Sequence, residues 1–93
     1  MDSTRSKLII QYWGGWGYGP KAERAKQLIN EQMEKGTLDI DLKMDHGITG
    51  NFELILFNSK NKDGRKVHSK QKGDGFITGS NLPMVLARIE DNL

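Results

Sequence analysis

A chain of 93 residues without a single cysteine has room for one domain, and it excludes a disulfide framework, a thiolate nucleophile and a Cys-ligated metal. Hydrophobic residues at 35% and charged residues at 28%, with a net charge of only +2, describe a globular domain and not a disordered segment. No apolar run approaches the ~20 residues of a membrane span. The opening MDSTRSK lacks a signal-peptide core and the closing EDNL lacks a prenylation cysteine, so a cytoplasmic protein without a membrane partner is expected.

Residues 1–6 read as a flexible lead into a single domain over 1–93. Lys7 to Tyr12 (KLIIQY) is a β-branched apolar run stopped by glycine, which predicts a buried strand. The next stretch, WGGWGYGP, places both tryptophans beside four glycines and ends at Pro20, a residue suited to the first turn of a helix. Ala22, Ala25, Leu28, Ile29 and Met33 follow at helical spacing, with Gly36 where a C-cap is expected. Leu38, Ile40 and Leu42 alternate with Asp39, Asp41 and Lys43, the pattern of a half-exposed edge strand.

Phe52 to Phe57 (FELILF) is the most apolar run and predicts a central strand. A polar connection closes at Asp63-Gly64, and Arg65 to Lys70 reads as the returning strand of a hairpin, with Lys66, His68 and Lys70 on one face. After a second turn at Gly73-Asp74-Gly75, Leu82, Val85, Leu86, Ile89 and Leu93 form an apolar helical stripe. Ser80 or Asn81 would cap it and Pro83 would sit in its first turn. The predicted order is β-α-β-β-β-α, an α/β chain built as an α+β sandwich.

The chemistry-bearing residues are sparse. His46 and His68 have no partner at ligand spacing, and no GxSxG elbow is present, so no catalytic residue, cofactor-binding residue or metal ligand is assigned. Gly17 to Ala22 fits the dinucleotide pattern GxGxxA, with Asp39 and Asp41 at the distance of a ribose-binding acid. Four residues separate the strand end at Tyr12 from Gly17, however, and Pro20 removes an N–H from the helix terminus that would hold pyrophosphate. That reading is set aside. Lys60, Lys62, Arg65, Lys66, Lys70 and Lys72 face a single Asp63, a surplus read as protection of an edge strand in preference to a nucleic-acid surface.

Three blocks carry a resemblance to a known family. Tyr12-Trp13-Gly14-Gly15-Trp16-Gly17-Tyr18 is similar to the Y-C-x-x-C/U-G-Y loop of the selenoprotein W-like (Rdx) family. Thr49 to Leu54 (TGNFEL) resembles that family's TGxFEV stretch, and Gly64 to Phe76 (GRKVHSKQKGDGF) its GxxxHSKxxGDGY/F signature. The resemblance implies a thioredoxin-like fold, a four-stranded mixed sheet with two helices packed on it. It also implies a small thiol or selenol redox protein linked to glutathione and cell redox homeostasis. It sets Trp13 and Trp16 at the family's redox pair, and indole can neither attack a disulfide nor form a mixed disulfide.

Two readings of the loop stand side by side. In one, a tryptophan folds down as a lid on the core and the other lies along the surface. In the other, Trp13, Gly14, Gly15, Trp16, Gly17 and Tyr18, with Phe76, form an exposed aromatic patch that docks a protein or a small thiol ligand such as glutathione. The expectation taken forward is a non-catalytic interaction module. The alternative is a redox protein of the family seen as a variant with both reactive positions replaced.

Overall fold

The computed structural model describes residues 6–34 and 36–93. Strand β1 (Ser6–Trp13) enters helix α1 (Tyr18–Gln32), followed by β2 (Leu38–Asp45), β3 (Phe52–Phe57), β4 (Arg65–Ser69) and helix α2 (Leu82–Glu90). The predicted order β-α-β-β-β-α holds throughout. The sheet runs β2-β1-β3-β4, with β1 parallel to β2 and antiparallel to β3, and β4 antiparallel to β3. This is the mixed four-stranded sheet of a thioredoxin-like α+β fold. The alternating β2 lies at an edge, and β3, apolar at every position but Glu53, lies inside.

Period-two alternation sorts the sheet into two faces. Leu8, Ile10, Ile40, Phe52, Leu54 and Leu56 point to one face and are buried. Ala22, Ala25 and Ile29 of α1 and Leu82, Val85 and Ile89 of α2 cover them, forming one core. Lys7, Ile9, Asp39 and Asp41 alternate onto the opposite face, which no helix covers, and Lys7 pairs there with Asp41 at 2.8 Å. No helix of the described residues is long and apolar enough to cross a membrane.

Local boundaries differ from the expectations in physically readable ways. The lead expected to be flexible over 1–6 lies outside the described residues for 1–5, whereas Ser6 already belongs to β1 and is buried. Helix α1 begins at Tyr18, two residues before Pro20, because Gly17 takes the left-handed conformation (φ 75°) as its N-cap. Its C-cap is Met33, not Gly36, whose φ of 86° serves the following turn closed by Thr37 N–H on the Glu34 carbonyl. Asn81 caps α2 by position, but its side chain turns back, accepting from Thr78 N–H and donating to the Phe76 carbonyl.

A bulge corrects the expected face of β4. The register pairs Leu54 with His68 but Ile55 with Lys66, so Val67 is the extra residue. Lys66 therefore joins the Glu53 and Ser69 side, while His68 turns into the core at 1% exposure. Lys66, His68 and Lys70 do not share a face.

Buried Glu53 is the polar hub on the other side. It accepts the Ser69 hydroxyl at 2.5 Å, the Gln71 N–H at 3.4 Å and the Lys66 ammonium at 3.3 Å. Burial pushes its carboxyl up, but these three donors outweigh burial and hold it below its usual value. The Ser69 N–H, opposed by burial and aided by Arg88, lowers Asp74.

Carboxyls lowered on folding stabilise the native state fully above their unfolded values and lose that contribution as pH falls through the folded ones. The melting temperature is expected to stay level from neutrality down to about pH 5 and to fall below about pH 4. Thermal melts across this range check it, and Glu53→Gln should flatten the acid limb. An equal acid slope in that variant would contradict the assignment.

Candidate functional site: the aromatic loop

The loop between β1 and α1 is held at both ends. Trp13 N–H donates to the Asn51 carbonyl at 2.9 Å, and Tyr18 N–H to the Gly15 carbonyl at 3.1 Å. A side chain at Gly15 would run into the Trp13 indole, 2.7 Å from an ideal Cβ, so the indole lies directly over that backbone. Trp16 adopts φ 50°, the only positive φ at a non-glycine among the described residues. A bulky residue in this region carries roughly 1–2 kcal/mol of strain.

The two tryptophans are treated oppositely. Trp13 is half-buried against the core, whereas Trp16 is 90% exposed. Their rings meet at 5.5 Å, tilted by 50°. Trp13 then stacks edge-on against Tyr18 at 5.3 Å, Tyr18 against Phe76 at 5.0 Å, and Phe76 against Phe52 at 5.1 Å. Phe52 closes the series on His68 at 6.3 Å. Edge-to-face contacts of this kind add about 0.5–1.5 kcal/mol each to the burial of the rings.

This geometry corrects the expected patch. Tyr18 is 9% exposed and belongs to the core, because it opens α1 on the side facing the sheet. Phe76 is half-buried, with Lys21 Nζ 5.3 Å and Lys70 Nζ 5.8 Å from its ring centre. Of the aromatics named for the patch, Trp16 alone stands free, and Trp13 is its seat. The glycines shape this perch without adding surface.

Two further apolar side chains at this end of the sheet were not anticipated. Met44, 53% exposed near the end of β2, lies against Gly14, where an ideal Cβ would come 2.6 Å from its sulfur. Ile48, 88% exposed, sits in the β2–β3 turn, and its setting between Gly47 and Gly50 was the available signal. Asp45 pins that turn by accepting from Gln11, Thr49 and Asn51, each at 2.8 Å. Burial raises its carboxyl, and the three donors together bring it below its usual value.

Among the described residues no group of three or more His, Asp or Glu is placed to hold a metal ion. Asp41, considered as a ribose acid, pairs with Lys7 on the face no helix covers. The loop carries no ionisable nucleophile. It can offer an indole, backbone groups and two nearby ammonium groups.

No family model matches the chain. Selenoprotein W of Gallus gallus is 32% identical over 85 residues, covering 90% of this chain and 92% of the relative. That of Danio rerio is 32% identical over 85 residues, covering 90% and 91%. The Mus musculus protein is 34% identical over 68 residues, covering 73% and 69%. A thioredoxin-like sheet and similarity over about nine-tenths of this chain agree, and the chain belongs to the selenoprotein W family.

Proposed function

We propose that this chain is a non-catalytic member of the family, acting in the cytoplasm as an interaction module. Its contact residue is Trp16, set where the family resemblance places the second reactive position, with Trp13 at the first. The observation that carries this reading is the 90% exposure of Trp16 at φ 50° on a pinned loop. Strain is kept at a position where glycine would remove it, while the partner ring Trp13 is half-buried against the core. An exposed, preorganised indole costs little side-chain entropy on docking and is the commonest kind of binding hot spot. The proposed partner is a protein surface with an apolar pocket. Glutathione could be held only non-covalently, since the chain offers no thiol.

Trp16→Gly tests it. Relief of about 1–2 kcal/mol of strain and loss of one ring contact nearly cancel, so stability should move by less than about 1 kcal/mol. The iodide-quenchable part of the intrinsic fluorescence should fall, because half-buried Trp13 is the only other tryptophan. A partner retained from cytosol by the wild-type chain should be lost by this variant, with a drop of at least about tenfold in affinity. Equal retention would overturn the docking role. Turnover of a disulfide substrate above the buffer rate would overturn the non-catalytic one.

A further inference from the structure

A cleft of about 400 Å³ runs between β4, the turn after it and α2. None of its lining residues belongs to the aromatic loop, so it stands apart from the docking role above. Arg65, Lys66, Lys72 and Arg88 line it against one carboxylate, Asp74, and His68 contributes a wall. Four cations to one anion is a local imbalance that the chain-wide charge of +2 conceals.

Edge protection does not account for this arrangement. The outer backbone of β4 is already closed, since Arg88 donates to the Val67 carbonyl at 3.3 Å and Ser69 N–H to Asp74 at 2.9 Å. Lys72 and Arg88 lie outside the strand and still converge on the cleft. Lys66 leans on Glu53 and Arg88 on Asp74, both at 3.3 Å, whereas Arg65 and Lys72 have no ion-pair partner among the described residues.

His68 forms the buried inner wall of the cleft. Its ring is 1% exposed, and Nε2 donates to the Gly75 carbonyl at 2.7 Å. That tautomer leaves Nδ1 as a buried lone pair without a hydrogen-bond partner. Guanidinium forks and lysine point charges together suit phosphate oxygens. The cleft offers no aromatic ring other than the imidazole, and so lacks the stacking platform that a nucleobase requires.

We propose that this cleft is a binding site for a small soluble compound carrying two or more phosphate groups. The probe is tripolyphosphate, titrated into the full-length isotope-labelled chain at low ionic strength, where exposed charges are least screened. Saturable amide shifts should be confined to Arg65–Ser69, Lys72–Asp74 and the end of α2 around Arg88, and the His68 ring signals should move with them. Arg65→Ser and Lys72→Ser, both unpaired and exposed, should each weaken binding about tenfold. Arg24→Ser on α1 should leave it unchanged.

Absence of a saturable shift at millimolar probe, or an equal loss in Arg24→Ser, would overturn the site in favour of diffuse charge attraction. Binding to phosphoinositide vesicles without binding to soluble inositol phosphates would assign the surface to a membrane instead. Tighter binding of a single-stranded oligonucleotide than of tripolyphosphate would assign it to nucleic acid. Either result overturns the proposal.

Discussion

The Trp13→Cys/Trp16→Cys double variant is expected to close an intraloop disulfide in air and to release two thiols on reduction. Positions 13 and 16 flank a tight loop closed by Tyr18 N–H on the Gly15 carbonyl, and their indole ring centres come within 5.5 Å. A disulfide needs close approach of the two Cβ atoms, which the double variant tests directly. Position 16 also lies two residues ahead of the first residue of α1, where unpaired N–H groups and the helix dipole favour a thiolate. The substitution removes a half-buried indole at 13 and costs roughly 2–4 kcal/mol, which a domain of this size can absorb while staying folded. Expected readouts are loss of thiol titration on oxidation, a monomeric product, and a defined midpoint in a glutathione redox buffer. If the variant folds but cross-links only between chains, or stays reduced in that buffer, the loop does not retain a dithiol geometry. The alternative reading of a redox scaffold with both positions replaced would then fall, while the Trp16 docking role would be judged by Trp16→Gly alone.

The element order, the edge place of β2 and the inner place of β3 were legible because burial writes itself into short patterns. Leu38, Ile40 and Leu42 alternate with charged neighbours because β2 has one strand neighbour and one covered face, whereas Leu54 and Leu56 sit in a strand paired on both sides. The loop was only half legible. Composition places Tyr18 among glycines and suggests exposure, but Gly17 at φ 75° starts the helix two residues early and turns that ring inward. Nothing in the spacing distinguishes Trp13 from Trp16. The indole of Trp13 lies over Gly15, in the space that a side chain there would take, whereas Trp16 leaves a residue at φ 50° and stays exposed. The bulge at Val67 was invisible for a similar reason, since one extra residue reverses every later side chain without changing composition. The cleft residues were visible as a basic run from Lys60 to Lys72, yet Arg88 joins them only through the packing of α2 beside β4.

Phe52→Ala is expected to be the most damaging single substitution, and its effect should reach the loop. Phe52 has no exposed surface and contacts both Phe76 and His68 through their rings. Truncation of a buried phenylalanine costs about 3–5 kcal/mol. For 93 residues the whole stability is about 5–14 kcal/mol, so between about a fifth and all of it is at stake. Urea melts measure the loss, and Phe52→Leu, which keeps most of the volume, should cost less than about 1.5 kcal/mol.

The second readout concerns transmission. Trp13 rests on Tyr18, Tyr18 on Phe76 and Phe76 on Phe52, so a cavity at position 52 removes the floor of the series. In a Trp16→Gly background, where Trp13 is the only tryptophan, Phe52→Ala should red-shift its emission and open it to iodide under folding conditions. Ile89→Ala, also fully buried but outside the ring series, costs a comparable 2–5 kcal/mol and serves as the control. Loosening of Trp13 in the first variant and not in the second would establish that the stacked rings hold the loop as a unit. Equal quenching in both would mean that Trp13 senses only global stability, and the perch of Trp16 would then owe its rigidity to the backbone alone.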